Sequence, residues 1–236
     1  MNVKKLLSHI FVLLFFSVSY AQQPIEVYFT NPDSNETVTP IQKALIHSIN
    51  NASLSIYAAL YDLSDPLIID ALCNAKQRGI DVRLVLESDR LSSTVKTKLE
   101  SFAIPIRLDN RKGFMHNKFF IFDNKAVWTG SYNTTEREAK LNNNNAVYID
   151  NEELASIYLA EFNEMFQDGI FGNRGDNNPL PFLFNKYYVK IDDINMNVYF
   201  SPDDDVERII VKRLEKAKKS IYFMAFSFTS EAIGEA

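Results

Sequence analysis

Four large apolar residues in succession, Phe119-Phe120-Ile121-Phe122, constrain most strongly how this chain can fold. Successive side chains of a strand point to opposite faces, so a strand built from such a run has to be covered on both. Residues 118–122 therefore read as a buried strand. Asn124-Lys125 reads as the turn after it, Ala126 to Thr129 as the return strand and Gly130 as its end. Strand-like and helix-like stretches alternate around this hairpin. Ile25 to Thr30 reads as a first strand, and Ile41, Ala44, Leu45 and Ile49 then recur at helical spacing. Ser53 to Leu60 is a second strand. Asp65-Pro66 starts a helix with the stripe Ile68, Ala71, Leu72 and Ala75, and Gly79 stops it. Asp81 to Glu87 is a third strand, Ser92 to Phe102 a helix and Ile104 to Arg107 a short strand. Asn145 to Ile149 adds another strand, and Asn151 caps a helix with Glu152 and Glu153 in its first turn, where carboxylates suit the dipole. The alternation predicts an α/β sandwich, a mixed sheet between helical layers.

The first residues predict export. Lys4 and Lys5 form a basic start, Phe11 to Val18 the heart of an apolar stretch, and Ser19-Tyr20-Ala21 a small-residue cleavage site. Residues 1–21 thus read as a signal peptide, with Gln22 first in the mature chain, which would be periplasmic or secreted. The apolar stretch is short for a stable membrane span, and no cysteine follows the site to carry a lipid anchor. Cleavage leaves 23 basic against 30 acidic residues, a net charge of -7, which argues against broad non-specific nucleic-acid binding. Cys73 is the sole cysteine, so no intrachain disulfide can form.

Residues 24–167 read as one domain and 168–195 as a linker, rich in Gly, Asn, Asp and Pro at its start. A repeat follows. Val27-Tyr28-Phe29-Thr30 matches Val198-Tyr199-Phe200-Ser201 at an offset of 171, and Ser55-Ile56-Tyr57 matches Ser220-Ile221-Tyr222 at an offset of 165. The apolar stripe Ile41, Ala44, Leu45 and Ile49 falls on Val206, Ile209, Ile210 and Leu214. Residues 196–236 are therefore expected to begin a second copy of the domain as strand, helix and strand, with a further helix from about Ser230, truncated inside that helix.

The chemistry gathers on the central hairpin. His116-x-Lys118 precedes the apolar strand, Asp123 follows it, and Gly130-Ser131-x-Asn133 closes the return strand. A nucleophile or proton carrier, a fixed cation and two neutral hydrogen-bonding groups suit a phosphodiester with its single charge. His116-x-Lys118-x4-Asp123-x6-Gly130-Ser131-x-Asn133 resembles the signature of the phospholipase D superfamily, and the duplicated α/β layout is similar to its two-domain members. The resemblance implies a phosphodiesterase that needs no cofactor and no metal. His116 would be nucleophile or general acid/base, and Lys118, Ser131 and Asn133 would bind the phosphate. The motif places Asp123 with the catalytic set, in a mainly supporting role. Many relatives orient the histidine with a glutamate in Asn-x-Glu-Asn; here the stretch is Asn142-Asn143-Asn144-Asn145, which makes Asn144 the His-orienting candidate.

The family joins two His-x-Lys motifs in one site, and this chain has one. His9 lies in the signal segment, and His47 lies off its helix stripe, where the repeat has Lys212. The second histidine is expected from a missing C-terminal half, where the offset points to position 281 (116 plus 165), or from a homodimer partner as in the family's single-motif nucleases. The substrate would be a phospholipid headgroup ester or a nucleic acid. A phosphate-binding scaffold without turnover and a phosphatidyl transferase are the competing readings.

Overall fold

The computed structural model describes residues 24–109, 113–172 and 188–236. The signal peptide expected over 1–21 and most of the expected linker lie outside the described residues. Seven strands form one sheet: β1 (Ile25–Phe29), β2 (Ser55–Leu60), β3 (Asp81–Leu86), β4 (Ile106–Leu108), β5 (Lys118–Phe122), β6 (Ala126–Gly130) and β7 (Asn145–Asp150). Their order is β1-β7-β6-β5-β2-β3-β4. β2, β3 and β4 run parallel, while β5 pairs antiparallel with β2 and continues antiparallel through β6 and β7 to β1. The mixed α/β sandwich expected from the sequence is the fold observed.

The central strand explains the two layers. Phe120 and Phe122 enter the core formed with helices α1 (Pro40–Asn51), α2 (Pro66–Gln77) and α3 (Ser93–Ser101), against residues such as Ile56, Leu84 and Trp128. Phe119 and Ile121 enter the opposite core under α5 (Glu152–Asn163), with Val127, Tyr158 and Phe162. None of the four is more than 4% exposed, and each such side chain contributes about 1.5–3 kcal/mol by leaving water. Buried polar groups tie α1 to α2: Gln42 accepts from Thr39 N at the start of α1 and donates to Asp65, 2.6 Å, while Asp65 accepts from Leu67 N at the start of α2.

The hairpin turn is centred one residue earlier than expected. Asp123 and Asn124 have φ of 54° and 55°, and Lys125 N donates to Phe122 O across them at 2.9 Å. Positive φ at both central positions matches the twist of the flanking strands, and Asp and Asn tolerate it better than Lys does. At the other end of β6, Gly130 has no substitute. A Cβ there would lie 2.3 Å from Asn145 O and 2.7 Å from Ala146 Cα of β7.

Four elements were not anticipated. α4 (Glu136–Lys140) is a five-residue helix capped by Thr135, whose hydroxyl accepts from Glu138 N. A π-helical turn, Glu164–Asp168, extends α5 and ends at Gly169 with φ of 70°. Strands β8 (Tyr188–Ile191) and β9 (Ile194–Asn197) form a hairpin that starts inside the expected linker and ends just past its boundary at residue 195. Val189, Ile191 and Val198 bury themselves in the α5-side core, which is why this segment is ordered against the domain.

Of the second copy expected from the sequence, the described residues show the helices and not the strands. α6 (Val206–Leu214) and α7 (Glu231–Glu235) occur where helices were expected. The strands expected at 198–201 and 220–222 are not strands among the described residues. Phe200 instead packs edge-on against Tyr158, centroids 5.2 Å apart. Ile221 to Phe228 run without a ladder partner, and a lone strand has nowhere to place its backbone hydrogen bonds.

Candidate active site

One end of the sheet gathers the chemistry. The register places Leu60 opposite Lys118 and Gly130 opposite Ala146, so the ends of β2 and β6 and the starts of β5 and β7 share one edge. The segment after β6 docks beside the β2–α2 connection: Ser64 N and Asp65 N donate to Thr134 O, and Thr134 Oγ1 donates to Asp62 O. β2 and β3 are parallel, and the carboxyl ends of parallel strands are where α/β sheets usually place ligands.

Tyr61 is the hub of this edge. Its ring meets the His116 ring edge-on at 4.4 Å and the exposed Phe114 ring at 5.8 Å. Lys118 Nζ stands 5.0 Å from its centroid and Arg90 Cζ 5.1 Å, and Arg90 Nε donates to its hydroxyl at 2.9 Å. Tyr61 N donates to Asn117 O, which fixes the backbone between His116 and Lys118. The His116 side chain is accessible, and neither ring nitrogen has a hydrogen bond to the described residues. Loss of water among the neighbouring groups, then the charges of Lys118 and Arg90, hold its pKa below the ordinary imidazole value. The shift favours the uncharged ring, which is the form a nucleophile needs.

Lys118 is half-buried, and its ammonium donates to His116 O at 2.9 Å, leaving N–H groups for an anion. Burial lowers its pKa to about 8, against the opposing charges of Glu138 and Asp62. Glu87, 1% exposed just past β3, accepts from Met115 N at 2.7 Å and from Asp89 N at 3.1 Å. The residue before His116 is thus held by a buried carboxylate reaching across from β3.

The other expected site residues divide. Ser131 and Asn133 reach the same edge. Ser131 Oγ donates its only proton to Asn144 Oδ1 at 3.0 Å and accepts from Asn145 N, so in this arrangement it has no donor for a phosphate. Asn133 Oδ1 is buried with no hydrogen-bond partner. Asn144 makes no hydrogen bond to His116 among the described residues. Its amide donates to Glu138 Oε2 at 2.6 Å and to Glu138 O at 3.2 Å, which uses both donors, and its oxygen accepts from Ser131. Asp123 is not at the site. It lies beyond the far end of β5, roughly 16 Å from Lys118 at ordinary strand rise. Its carboxylate accepts from Ser53 N, Ser53 Oγ, Leu54 N and Ser55 N. Burial pushes this carboxyl up, but the hydrogen bonds from Ser55, Ser53 and Leu54 outweigh it and hold the pKa below the usual range. His47 is on the surface of α1, where Asn51 Nδ2 donates to its Nε2. No cluster of three or more His, Cys, Asp or Glu able to hold a metal occurs among the described residues.

Asp123→Asn should therefore lower stability by about 2 kcal/mol, because an amide cannot accept all four bonds, while turnover per folded molecule stays unchanged. Denaturant unfolding beside active-site titration checks this; a loss of turnover at full folding would return Asp123 to the site.

Tyr61, Glu87, Arg90 and Glu138 were missed from the sequence. The first three follow strands β2 and β3 closely, a position that could have marked them. Nothing marked Glu138, whose short helix has no apolar stripe to reveal it.

The family described as "Cardiolipin synthase, PLD-like domain" matches residues 45–166. The phospholipase D of Rickettsia conorii is 39% identical over 122 residues, 51% of this chain and 61% of that protein. The phospholipase D of Rickettsia prowazekii is 37% identical over 156 residues, 62% of this chain and 75% of its own length. The mitochondrial cardiolipin hydrolase of Canis lupus familiaris is 30% identical over 126 residues, half of its length. Among solved structures, the phospholipase D family member Nuc from Salmonella typhimurium superposes with a TM-score of 0.54 at 28% identity, covering 61% of this chain and 93% of that one. The fold and the His116-x-Lys118 edge define a phospholipase D-like domain, and the chain belongs to the phospholipase D superfamily.

Proposed function

We propose that this chain is a phosphodiesterase that cleaves a phospholipid headgroup ester through a phosphohistidine. The carrying observation is the accessible His116 ring and the Lys118 ammonium brought together against the Tyr61 ring. A ring nitrogen of His116 attacks phosphorus, and the bond from phosphorus to the headgroup oxygen breaks. That oxygen takes a proton from a second imidazole, which then removes a proton from the water that cleaves the phosphorus–nitrogen bond. Lys118 neutralises the non-bridging oxygens as charge develops. The second imidazole is supplied by another His-x-Lys copy, in a partner chain or C-terminal to this segment, and the protein acts after export.

Two observations favour lipid over nucleic acid. The relatives above carry lipid-hydrolase names. The cations Lys118 and Arg90 are accompanied by Asp62, Glu87 and Glu138, a poor match for a polyanion with a charge at every phosphate. The test incubates the purified protein with phosphatidyl lipid, quenches it in alkali and looks for the histidine adduct by mass spectrometry, beside headgroup-release and plasmid-nicking assays. Headgroup release with an adduct on His116 is expected. Nicking without headgroup release would move the substrate to nucleic acid. Absence of adduct and turnover would leave a phosphate-binding scaffold, and an alcohol adduct in place of free phosphatidate would indicate a transferase.

A further inference from the structure

We propose that Glu138 is a positioning residue of this site, holding Asn144, and through it the Ser131 hydroxyl, while facing Lys118 as its principal counter-charge. The inference rests on the reading of His116 and Lys118 as the reacting pair. Its basis is geometric. α4 is anchored by the Thr135 cap on Glu138 N, and it carries the Glu138 carboxylate to 2.6 Å from Asn144 Nδ2. Asn144 cannot turn away: Thr30 Oγ1 accepts from its backbone N–H at 2.6 Å, its O accepts from Thr30 N, and the residue is only 8% exposed. A charge-assisted bond to a locked amide fixes the direction of both groups. Asn144 Oδ1 then accepts from Ser131, so one carboxylate orders the loop between β6 and β7 on the phosphate side of the site.

The electrostatics agree. Of the groups that raise the Lys118 pKa against burial, Glu138 acts most strongly and Asp62 second. Among the described residues, the Tyr61 ring and the His116 carbonyl also lie against the Lys118 ammonium. Glu138 forms no ion pair with Lys118 among the described residues: its carboxylate is held by Asn144, and the ammonium by the His116 carbonyl. It therefore supports the ammonium without occupying the N–H groups that a phosphate would take.

The experiment replaces Glu138 by Gln, and separately exchanges the pair as Glu138→Gln with Asn144→Asp. The exchange keeps the shapes and returns one carboxylate to the same hydrogen bond from the other side. Lys118 titration is followed by NMR of lysine labelled at Cε, together with turnover of bis(4-nitrophenyl) phosphate and the unfolding midpoint. Glu138→Gln is expected to lower the Lys118 titration midpoint and to cut turnover roughly tenfold to a hundredfold, as displacement of a site group does. The exchange is expected to recover most of both. An unchanged Lys118 midpoint in a fully folded Glu138→Gln protein overturns the proposal, as does failure of the exchange to recover it. If Glu138→Gln lowers the unfolding midpoint, Glu138→Asp, which keeps the charge but shortens its reach, is read in its place; a Lys118 midpoint indistinguishable from that of Glu138→Ala overturns the proposal. The titration needs no turnover, so an inactive wild-type protein would count against the phosphodiesterase reading alone.

Discussion

His116→Ala should reduce phosphodiester turnover by roughly 10⁴-fold or more, the scale on which removal of a covalent nucleophile acts. The same substitution should leave stability within about 0.5 kcal/mol, as expected for an accessible group away from special features. His116 has no hydrogen bond from its ring to the described residues, and its main contact is the edge of Tyr61, which other groups also hold. The backbone at this point is fixed by Glu87 on Met115 N and by Tyr61 N on Asn117 O, neither of which depends on the imidazole. Turnover assays, adduct trapping and thermal unfolding on the same preparation separate the two effects. A variant that folds normally and keeps even a hundredth of wild-type turnover would rule out His116 as the nucleophile.

The second large effect concerns Lys118. Lys118→Met should lower turnover by about 10²–10³-fold, the loss seen when one donor to developing oxyanion charge is removed. The pH dependence gives a more selective signature. The folded pKa is about 8, lowered from the ordinary lysine value, so the ammonium is present below that pH and is lost as pH rises through it. Sulfate, a tetrahedral dianion whose charge does not change between pH 7 and 9.5, is a suitable probe. Its affinity, measured by calorimetry, should fall as pH passes about 8 in the wild-type protein. Lys118→Arg should abolish that fall, since a guanidinium stays charged, and Lys118→Met should bind weakly throughout. The His116 pKa is shifted the other way from this range, below the ordinary imidazole value, so the fall near pH 8 is read as that of Lys118. A flat wild-type curve would remove Lys118 as the anion-binding group.

The fold was legible because its signals are local. The unbroken apolar run of β5 demanded cover on both faces, and the caps Asp65 and Asn151 marked their helices through side-chain bonds to Leu67 N and Leu154 N. The candidate pair was legible because His116 and Lys118 are neighbours on one strand entry. Their surroundings were not, because Tyr61, Glu87, Arg90 and Glu138 reach the site by tertiary packing from three other connections. Residue type misled in two places. Asn144 stands where an orienting acid was expected, but its amide is committed to Ser131 and Glu138. Ile221 to Phe228 have the composition of a core strand, yet pairing takes a neighbour that the described residues do not provide.

The four residues between Lys118 and Asp123 act as a gauge of length. They span β5, with the ammonium at one end and at the other a carboxylate fastened to the start of β2. The spacing in the motif therefore encodes the depth of the sheet rather than the size of a reaction centre. A single residue inserted within it would exchange the two cores to which the Phe and Ile side chains point, and would detach the chemistry from its mooring at the same time.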